Sequence, residues 1–214
     1  MKNRIGTALK SILLSLCLAL TVAGAAGRTG AADIPELPMA DGSGETPEMV
    51  VNLVPTAAAK PGKVKLSSLR GKVVLLDMFR STCPHCEDHA PHIVKLYQDY
   101  RQRGFTVLGL ATDDKTDADA VKSLKSFLTR HKINYPVAYV TTEVVAYYAD
   151  PKNHGVPQMV LFGADGKMTL RKIGWGQTYD QLFRQSIEEQ LTKLPAPKPA
   201  AKPAAKPVAG KSRK

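Results

Sequence analysis

Residues 71–91 read GKVVLLDMFRSTCPHCEDHAP, and this stretch decides the fold. Residues 73–76 are continuously apolar, which is typical of a strand buried on both faces of a sheet. A Cys-Pro-His-Cys sequence follows at 83–86, and apolar residues at Ile93, Leu96, Tyr97 and Tyr100 have helical spacing. Two cysteines between a buried strand and the start of a helix predict exchange chemistry or metal binding more than a structural bridge.

The start of a helix favours an ionised sulfur. Its first N–H groups lack partners within the helix, and the helix dipole is positive there, so both stabilise a thiolate. We therefore expect Cys83 to be the nucleophile and Cys86, one turn further on, to close the bridge and resolve a mixed disulfide. Pro84 suits a first helical position because it has no N–H to leave unsatisfied. His85 is predicted to stabilise Cys83 as a leaving group and to make the disulfide more oxidising.

The remaining sequence predicts an α/β domain. Apolar periodicity and turn residues indicate an N-terminal β extension, further strands and helices, and a hairpin with an Asp-Gly turn. The predicted strands are 49–54, 64–66, 73–76, 105–111, 135–140, 159–162 and 168–173. The first predicted helix starts near Pro84, the second contains Val121 to Leu128, and a short third one covers 143–148. The last helix opens at Thr178 and Gln181 with capping-box spacing, and its apolar side carries Leu182, Phe183, Ile187 and Leu191. Together they predict a mixed central sheet flanked by helices on both faces.

The N-terminus has the layout of a secretory signal. Residues 1–25 combine a basic start, an apolar run over 12–22 and the small residues Ala23-Gly24-Ala25. The apolar run is short for a membrane span, although an uncleaved anchor is the alternative. Cys17 would be removed with the signal, leaving Cys83 and Cys86 in the mature chain. We therefore predict export, to a periplasm or the cell surface.

The two flanks of the predicted domain differ from it in composition. Residues 26–45 are predicted to be a linker, 46–194 the folded domain, and 195–214 a disordered tail rich in Lys, Pro and Ala. The net charge of +11 includes three cations from the signal and six from the tail, so the middle carries only +2. This distribution argues against a specific nucleic-acid-binding fold. The tail is interpreted as a solvated extension, with weak contact to anionic envelope polymers as the alternative.

A family resemblance adds to these inferences. The segment from Gly71 through Cys83 and Cys86 to Pro91, with Gly155-Val156-Pro157 and the later Asp-Gly hairpin, resembles exported thioredoxin-like proteins of the TlpA/ResA type. The resemblance covers roughly 46–194 and implies a thioredoxin-like fold. It also implies thiol–disulfide oxidoreductase activity on protein substrates, without a cofactor, and a membrane redox partner that recycles the dithiol.

The resemblance also implies roles for individual residues. Pro157 would be cis and would face Cys83, and Val156 would offer its backbone to an extended substrate. Asp77 would be the buried acid that helps proton movement at the resolving cysteine. Several positions depart from the family pattern: Arg80 replaces a small residue, Thr82 a tryptophan, His89 a glutamate, and Gly109 a lysine. The Pro-His dipeptide is the one found in DsbA-type disulfide donors, whereas the TlpA/ResA frame suggests reduction, for example in cytochrome c maturation.

Three other interpretations remain open. Cys83, Cys86, His89 and His92 are spaced by three residues and resemble a zinc or copper ligand set, which suggests a metal carrier, although a helix would turn the fourth side chain away. A peroxidase of the peroxiredoxin type is a weaker interpretation, because peroxiredoxins typically have a Thr or Ser at the position of Arg80. A non-enzymatic module could also act through the cationic tail.

Overall fold

The computed structural model describes residues 36–38, 46–56 and 59–195. The predicted signal, most of the predicted linker and nearly all of the predicted tail lie outside the described residues. In the described ranges no helix has the length and apolar character needed to cross a membrane.

Seven strands form a single mixed sheet. They are β1 Val50–Val54, β2 Gly62–Lys65, β3 Val73–Phe79, β4 Phe105–Ala111, β5 Val137–Tyr139, β6 Gln158–Phe162 and β7 Met168–Ile173. The strand order is β2-β1-β5-β4-β3-β6-β7, in which β3, β4 and β5 run parallel and the other pairs are antiparallel. The predicted mixed sheet and the N-terminal β extension, made of β1 and β2, are confirmed.

Four helices cover the two faces of this sheet. They are α1 Pro84–Tyr100, α2 Ala118–Arg130, α3 Thr142–Tyr148 and α4 Gln177–Thr192, and short 3₁₀ helices span Leu66–Leu69 and Arg101–Arg103. Every residue of β3 is buried, and its side chains alternate between the faces because strand side chains have a period of two. One face packs against α1, α2 and α4, and the other against α3 and the first 3₁₀ helix.

Three details of the predicted elements are wrong. The capping box at Thr178 does not form, because α4 begins at Gln177 with Gly176 as its N-cap and no side-chain cap. Leu182, predicted on the buried side of this helix, is exposed. The strand predicted over 135–140 is shorter, because the backbone pairs with β1 and β4 only over Val137–Tyr139.

Part of the predicted linker packs against the domain. The Leu37 side chain is fully buried, and its N–H donates to the Gly166 carbonyl at 2.8 Å. Gly166 adopts a φ of 80°, which favours glycine, in the Asp-Gly turn between β6 and β7. The Arg70 guanidinium donates to the carbonyls of Leu37 and Pro38. These contacts attach Glu36–Pro38 to the turn and cover the α3 face of the sheet.

Candidate active site

The two cysteines lie at the N-terminus of α1, directly after β3. Cys83 is the N-cap residue, Pro84 occupies the first helical turn, and the N–H groups of Cys86 and Glu87 donate to the Cys83 carbonyl at 3.0 and 3.1 Å. Both cysteines are free thiols. Cys83 is partly exposed, and the neighbouring Pro84 and His85 are exposed. The sulfur predicted to attack is therefore the accessible one.

Cys86 is in a different environment. Its side chain is fully buried within the cluster that joins the sheet to α1. Burial raises the pKa of the Cys86 thiol. The backbone N–H of Arg80 opposes this, whereas the neighbouring Cys83 sulfur and the charge of Asp77 raise the pKa further. Cys86 is thus a protonated thiol in the reduced protein and must lose a proton before it can act as a nucleophile.

The segment before β6 approaches Cys83. The Val156–Pro157 peptide bond is cis, as the resemblance implied, and the Cys83 thiol donates to the Val156 carbonyl at 3.4 Å. The buried Gln158 side chain shapes this segment. Its amide donates to the carbonyls of Asn153 and Gly155 at 2.7 and 2.9 Å, and its carbonyl accepts from a backbone N–H at 2.8 Å. Gln158 therefore fixes the loop that presents Val156 to the cysteine.

A second buried pair fixes the loop before Cys83. The Asp113 carboxylate, which follows β4, accepts from the Ser81 N–H at 3.1 Å and from the Ser81 hydroxyl at 2.5 Å. Both residues are buried. Because β3 and β4 are parallel neighbours, their carboxyl ends meet at one edge of the sheet, and this contact joins the two loops there.

Asp77 lies in β3 below the helix, fully buried, and it has two side-chain partners. His89 Nε2 lies 2.8 Å from Asp77 Oδ1, and the Tyr135 hydroxyl lies 3.5 Å from Asp77 Oδ2. Gly109 stands opposite Asp77 in β4, and a Cβ there would lie only 3.1 Å from Tyr135 Cε2. The missing side chain at Gly109 thus makes room for the tyrosine ring beside the acid.

Comparison with known proteins identifies the family. A sequence model described as the AhpC/TSA family matches residues 46–171, more than half of the chain. The chain belongs to the AhpC/TSA family. Among relatives, Protein DipZ of Mycobacterium bovis is 31% identical over 146 residues, which are 66% of this chain and 20% of DipZ. Thiol-disulfide oxidoreductase ResA of Bacillus cereus is 30% identical over 121 residues, which are 56% of this chain and 65% of ResA.

The solved structures confirm the fold within the AhpC/TSA family. A thiol:disulfide interchange protein, thioredoxin family protein, from Chlorobium tepidum TLS superposes with a TM-score of 0.55 at 24% identity, covering 75% of this chain and 99% of that one. The thioredoxin-like fold is therefore confirmed. The matched segment spans about a fifth of DipZ and just under two thirds of ResA, so the comparison covers this domain and not the whole of either relative.

The predicted metal ligands do not converge in this AhpC/TSA-family domain. Both ring nitrogens of His89 already have partners, since Nδ1 lies 2.9 Å from the Cys86 carbonyl and Nε2 contacts Asp77. The His92 ring instead contacts Trp175, with centroids 4.7 Å apart and the two rings tilted by 38°. Across 36–38, 46–56 and 59–195, no three His, Cys, Asp or Glu side chains are placed to hold a metal ion.

Sequence reasoning missed four residues of the site. Ser81, Asp113, Tyr135 and Gln158 were given no role, and His89 was considered as a metal ligand and as a departure from the family pattern, not as a partner of Asp77. A polar residue inside an apolar strand, such as Gln158 before Met159, is the available signal, because buried polar groups need partners. The contacts of Asp113 and Tyr135 depend on how β4 and β5 pair with β3, which local sequence does not reveal.

Proposed function

We propose that this protein is an exported thiol–disulfide oxidoreductase that exchanges the Cys83–Cys86 dithiol or disulfide with protein substrates. One observation carries the proposal: a partly exposed Cys83 thiol at a helix N-terminus faces the Val156 carbonyl, while Cys86 is buried one turn further on. The names of ResA and of the Chlorobium protein, both thiol–disulfide exchange proteins, support it.

In the reducing direction the exchange takes two steps. The Cys83 thiolate attacks a substrate disulfide, so that a mixed disulfide forms and the first substrate thiolate leaves. Cys86 then loses its proton and attacks the Cys83 sulfur, which releases the second substrate thiolate and leaves the Cys83–Cys86 disulfide. Two cysteine sulfurs are oxidised and two substrate sulfurs reduced, so the dithiol itself supplies the electrons. The oxidising direction is the reverse.

The Val156 segment is the proposed substrate-binding edge. It comes immediately before β6, and residues 151–155 next to it are exposed. An extended substrate peptide could pair with this backbone beside Cys83 as strands pair in a sheet, which is a recognised mode of peptide binding. The anchoring of the loop by Gln158 would reduce the ordering cost of that pairing.

The activity is tested with the full chain carrying Cys17→Ser, so that only the two site cysteines remain. Disulfide reduction in insulin is followed with a thiol reductant as the electron source. Cys83→Ser should abolish the protein-dependent rate. When Cys86→Ser is incubated with insulin before the reductant is added, it should accumulate a mixed disulfide that the reductant then cleaves. Equal loss without a trapped adduct in both variants would refute the assigned order of the two sulfurs.

Export and the direction of electron flow are further parts of the proposal. Residues 1–25 have the pattern of an export signal, and fractionation of cells that make the full chain tests where the protein resides. The reduction potential of the cysteine couple tests its role. A value near −270 mV favours a reductant, as in cytochrome c maturation, and one near −120 mV favours disulfide formation. A membrane redox partner would then restore the starting form of the dithiol.

A further inference from the structure

Three buried side chains from separate segments meet below Cys86. Asp77 comes from β3, His89 from α1, and Tyr135 from the segment before β5, and each is at most 1% exposed. A histidine and a carboxylate that share a dry interior are costly to bury unless their charges and hydrogen bonds are matched. The proposed exchange reaction assigned no task to His89, although its ring directly contacts both Asp77 and the backbone of Cys86.

The contacts of His89 determine its protons. Nδ1 lies 2.9 Å from the Cys86 carbonyl, which can only accept, so Nδ1 carries a hydrogen and donates it. Nε2 lies 2.8 Å from Asp77 Oδ1, where two unprotonated atoms would repel each other. One proton must therefore lie between Nε2 and Oδ1. Whichever atom holds it, the pair of Asp77 and His89 is neutral overall.

The surroundings favour the protonated form of the His89 ring. Burial by itself lowers the pKa of His89, but the charge and hydrogen bond of Asp77, with the bond to Cys86 and the charge of Asp88, raise it above its ordinary value. Burial and the charge of Asp77 raise the pKa of Tyr135, so its hydroxyl stays a neutral donor. On the remaining sides, Gly109 of β4 presents no side chain, Met159 of β6 is apolar, and the Trp175 ring stands 5.9 Å from the His89 ring.

We propose that His89 is a positioning residue for the resolving step, in which it shares one proton with Asp77 and keeps that carboxylate ready to take the proton of Cys86. This inference rests on the proposed exchange function and assigns His89 a task within it. The imidazolium offsets the negative charge of Asp77, which would otherwise oppose a thiolate on Cys86. The imidazolium also holds Oδ1, and among the described residues the hydrogen bonds of Oδ2 are limited to the long contact with Tyr135.

In the reducing direction, the resolving step moves one proton and replaces one S–S bond with another. The S–H bond of Cys86 breaks, and its proton moves to Asp77 while His89 retains its own two. The electron pair left on the Cys86 sulfur forms a bond with the Cys83 sulfur. The bond between Cys83 and the substrate sulfur breaks, and its electron pair leaves with the substrate thiolate. That thiolate or solvent then takes the extra proton and restores the neutral pair.

The test separates the two chemical steps. Reduced full chain with Cys17→Ser is mixed with equimolar 5,5′-dithiobis(2-nitrobenzoate). The first release of thionitrobenzoate reports attack by Cys83 and depends on concentration, and the second reports attack by Cys86 within the adduct. His89→Gln should leave the first release within about twofold. It should raise the pH midpoint of the second by about one unit, and slow it about tenfold at pH 7, because the compensating positive charge is lost.

Matched variants distinguish positioning from packing. His92→Gln, on the same helix but without contact to Asp77, should change neither release. In an Asp77→Asn background, His89→Gln should move the pH midpoint by less than about 0.3 unit, since the two residues act as one unit. An equal shift with and without Asp77, or an unshifted midpoint in the single variant, would overturn the inference. Absence of the first release would instead refute the proposed exchange function.

A second measurement does not depend on the stability of any variant. In ¹⁵N-histidine-labelled wild-type protein, both ring nitrogens of His89 should carry hydrogen at pH 7, and the Nδ1 hydrogen should be protected from exchange. A His89 ring that loses a proton in a titration centred near 6.5, like a solvent-exposed histidine, would contradict a proton shared with Asp77.

Discussion

Gly109→Ala tests whether the space beside Asp77 is as tightly filled as the structure shows. The new methyl group would lie 3.0 Å from Val137 Cγ2, 3.1 Å from Tyr135 Cε2 and 3.3 Å from Phe79 Cε1. All three neighbours are at most 1% exposed, so they have no free space into which to move. Overpacking of this kind costs about 1–3 kcal/mol. Alanine also lowers the conformational entropy of the unfolded chain, which offsets this loss of stability by about 0.4–1 kcal/mol. The expected net loss is about 1–2 kcal/mol in the free energy of unfolding.

Urea unfolding at pH 7 measures this loss, with an unchanged m-value showing that the difference is one of stability. Gly62→Ala is the matched control, because the nearest atom to its new methyl group is 4.0 Å away at the edge of the sheet. That control should be neutral or slightly stabilising. If Gly109→Ala unfolded at the same urea concentration as the control, the tight packing of Tyr135 against β4 would be refuted.

Four further predictions test other parts of the molecule. Leu37→Ala should lower stability by about 2–4 kcal/mol in urea unfolding if the segment before residue 46 packs as described, and no change would contradict that packing. Asp113→Ala should cost about 1–3 kcal/mol by leaving buried donors of the active-site loop unpaired, whereas the exposed neighbour Asp114→Ala should cost little. His85→Ala should lower the reduction potential of the cysteine couple by about 30 mV, measured against a glutathione buffer, and an unchanged potential would rule out its predicted influence. Partial burial of Glu87 acts against ionisation, but Arg130 at the end of α2 and the adjacent His131 lower its pKa, so Glu87→Gln should lose up to about 1 kcal/mol at pH 7. This difference should disappear in an acid unfolding series as the pH falls through the lowered pKa of Glu87.

The strands were the most predictable part of the fold. The strands predicted over 105–111 and 168–173 match β4 and β7, because continuous burial and an Asp-Gly turn leave strong local signals. Helix ends were less predictable. The Thr178 capping box was a sound local pattern, but α4 has its N-cap two residues earlier, at Gly176. Leu37 was assigned to a linker because the surrounding composition is rich in Gly and Pro, and its burial depends on the distant turn at Gly166.

The cysteines could be located from sequence because their spacing and their place after a buried strand are local properties. The partner of Asp77 could not. His89 lies twelve residues further along, on a helix that packs over β3, and equal spacing with the cysteines suggested a metal instead. Tyr135 reaches the same carboxylate from another segment, and only because residue 109 is a glycine. Sequence reasoning therefore pointed to the two cysteines and to Asp77, and it missed His89 and Tyr135 as the side chains that contact Asp77.

The difference in burial between the two sulfurs explains why the proton of Cys86 would need an acceptor inside the protein. Cys83 is partly exposed to water, whereas Cys86 is fully buried, and its burial and a nearby carboxylate both raise the pKa of its thiol. A protein that solvated both sulfurs equally would allow Cys86 to react with substrates directly and would lose the order of the two steps. On the proposed mechanism, burial would keep Cys86 inactive until a mixed disulfide forms on Cys83, and it would also require an internal acceptor for the proton. Asp77 would fill that position, and the charge of His89 would lower the electrostatic cost of burying its carboxylate.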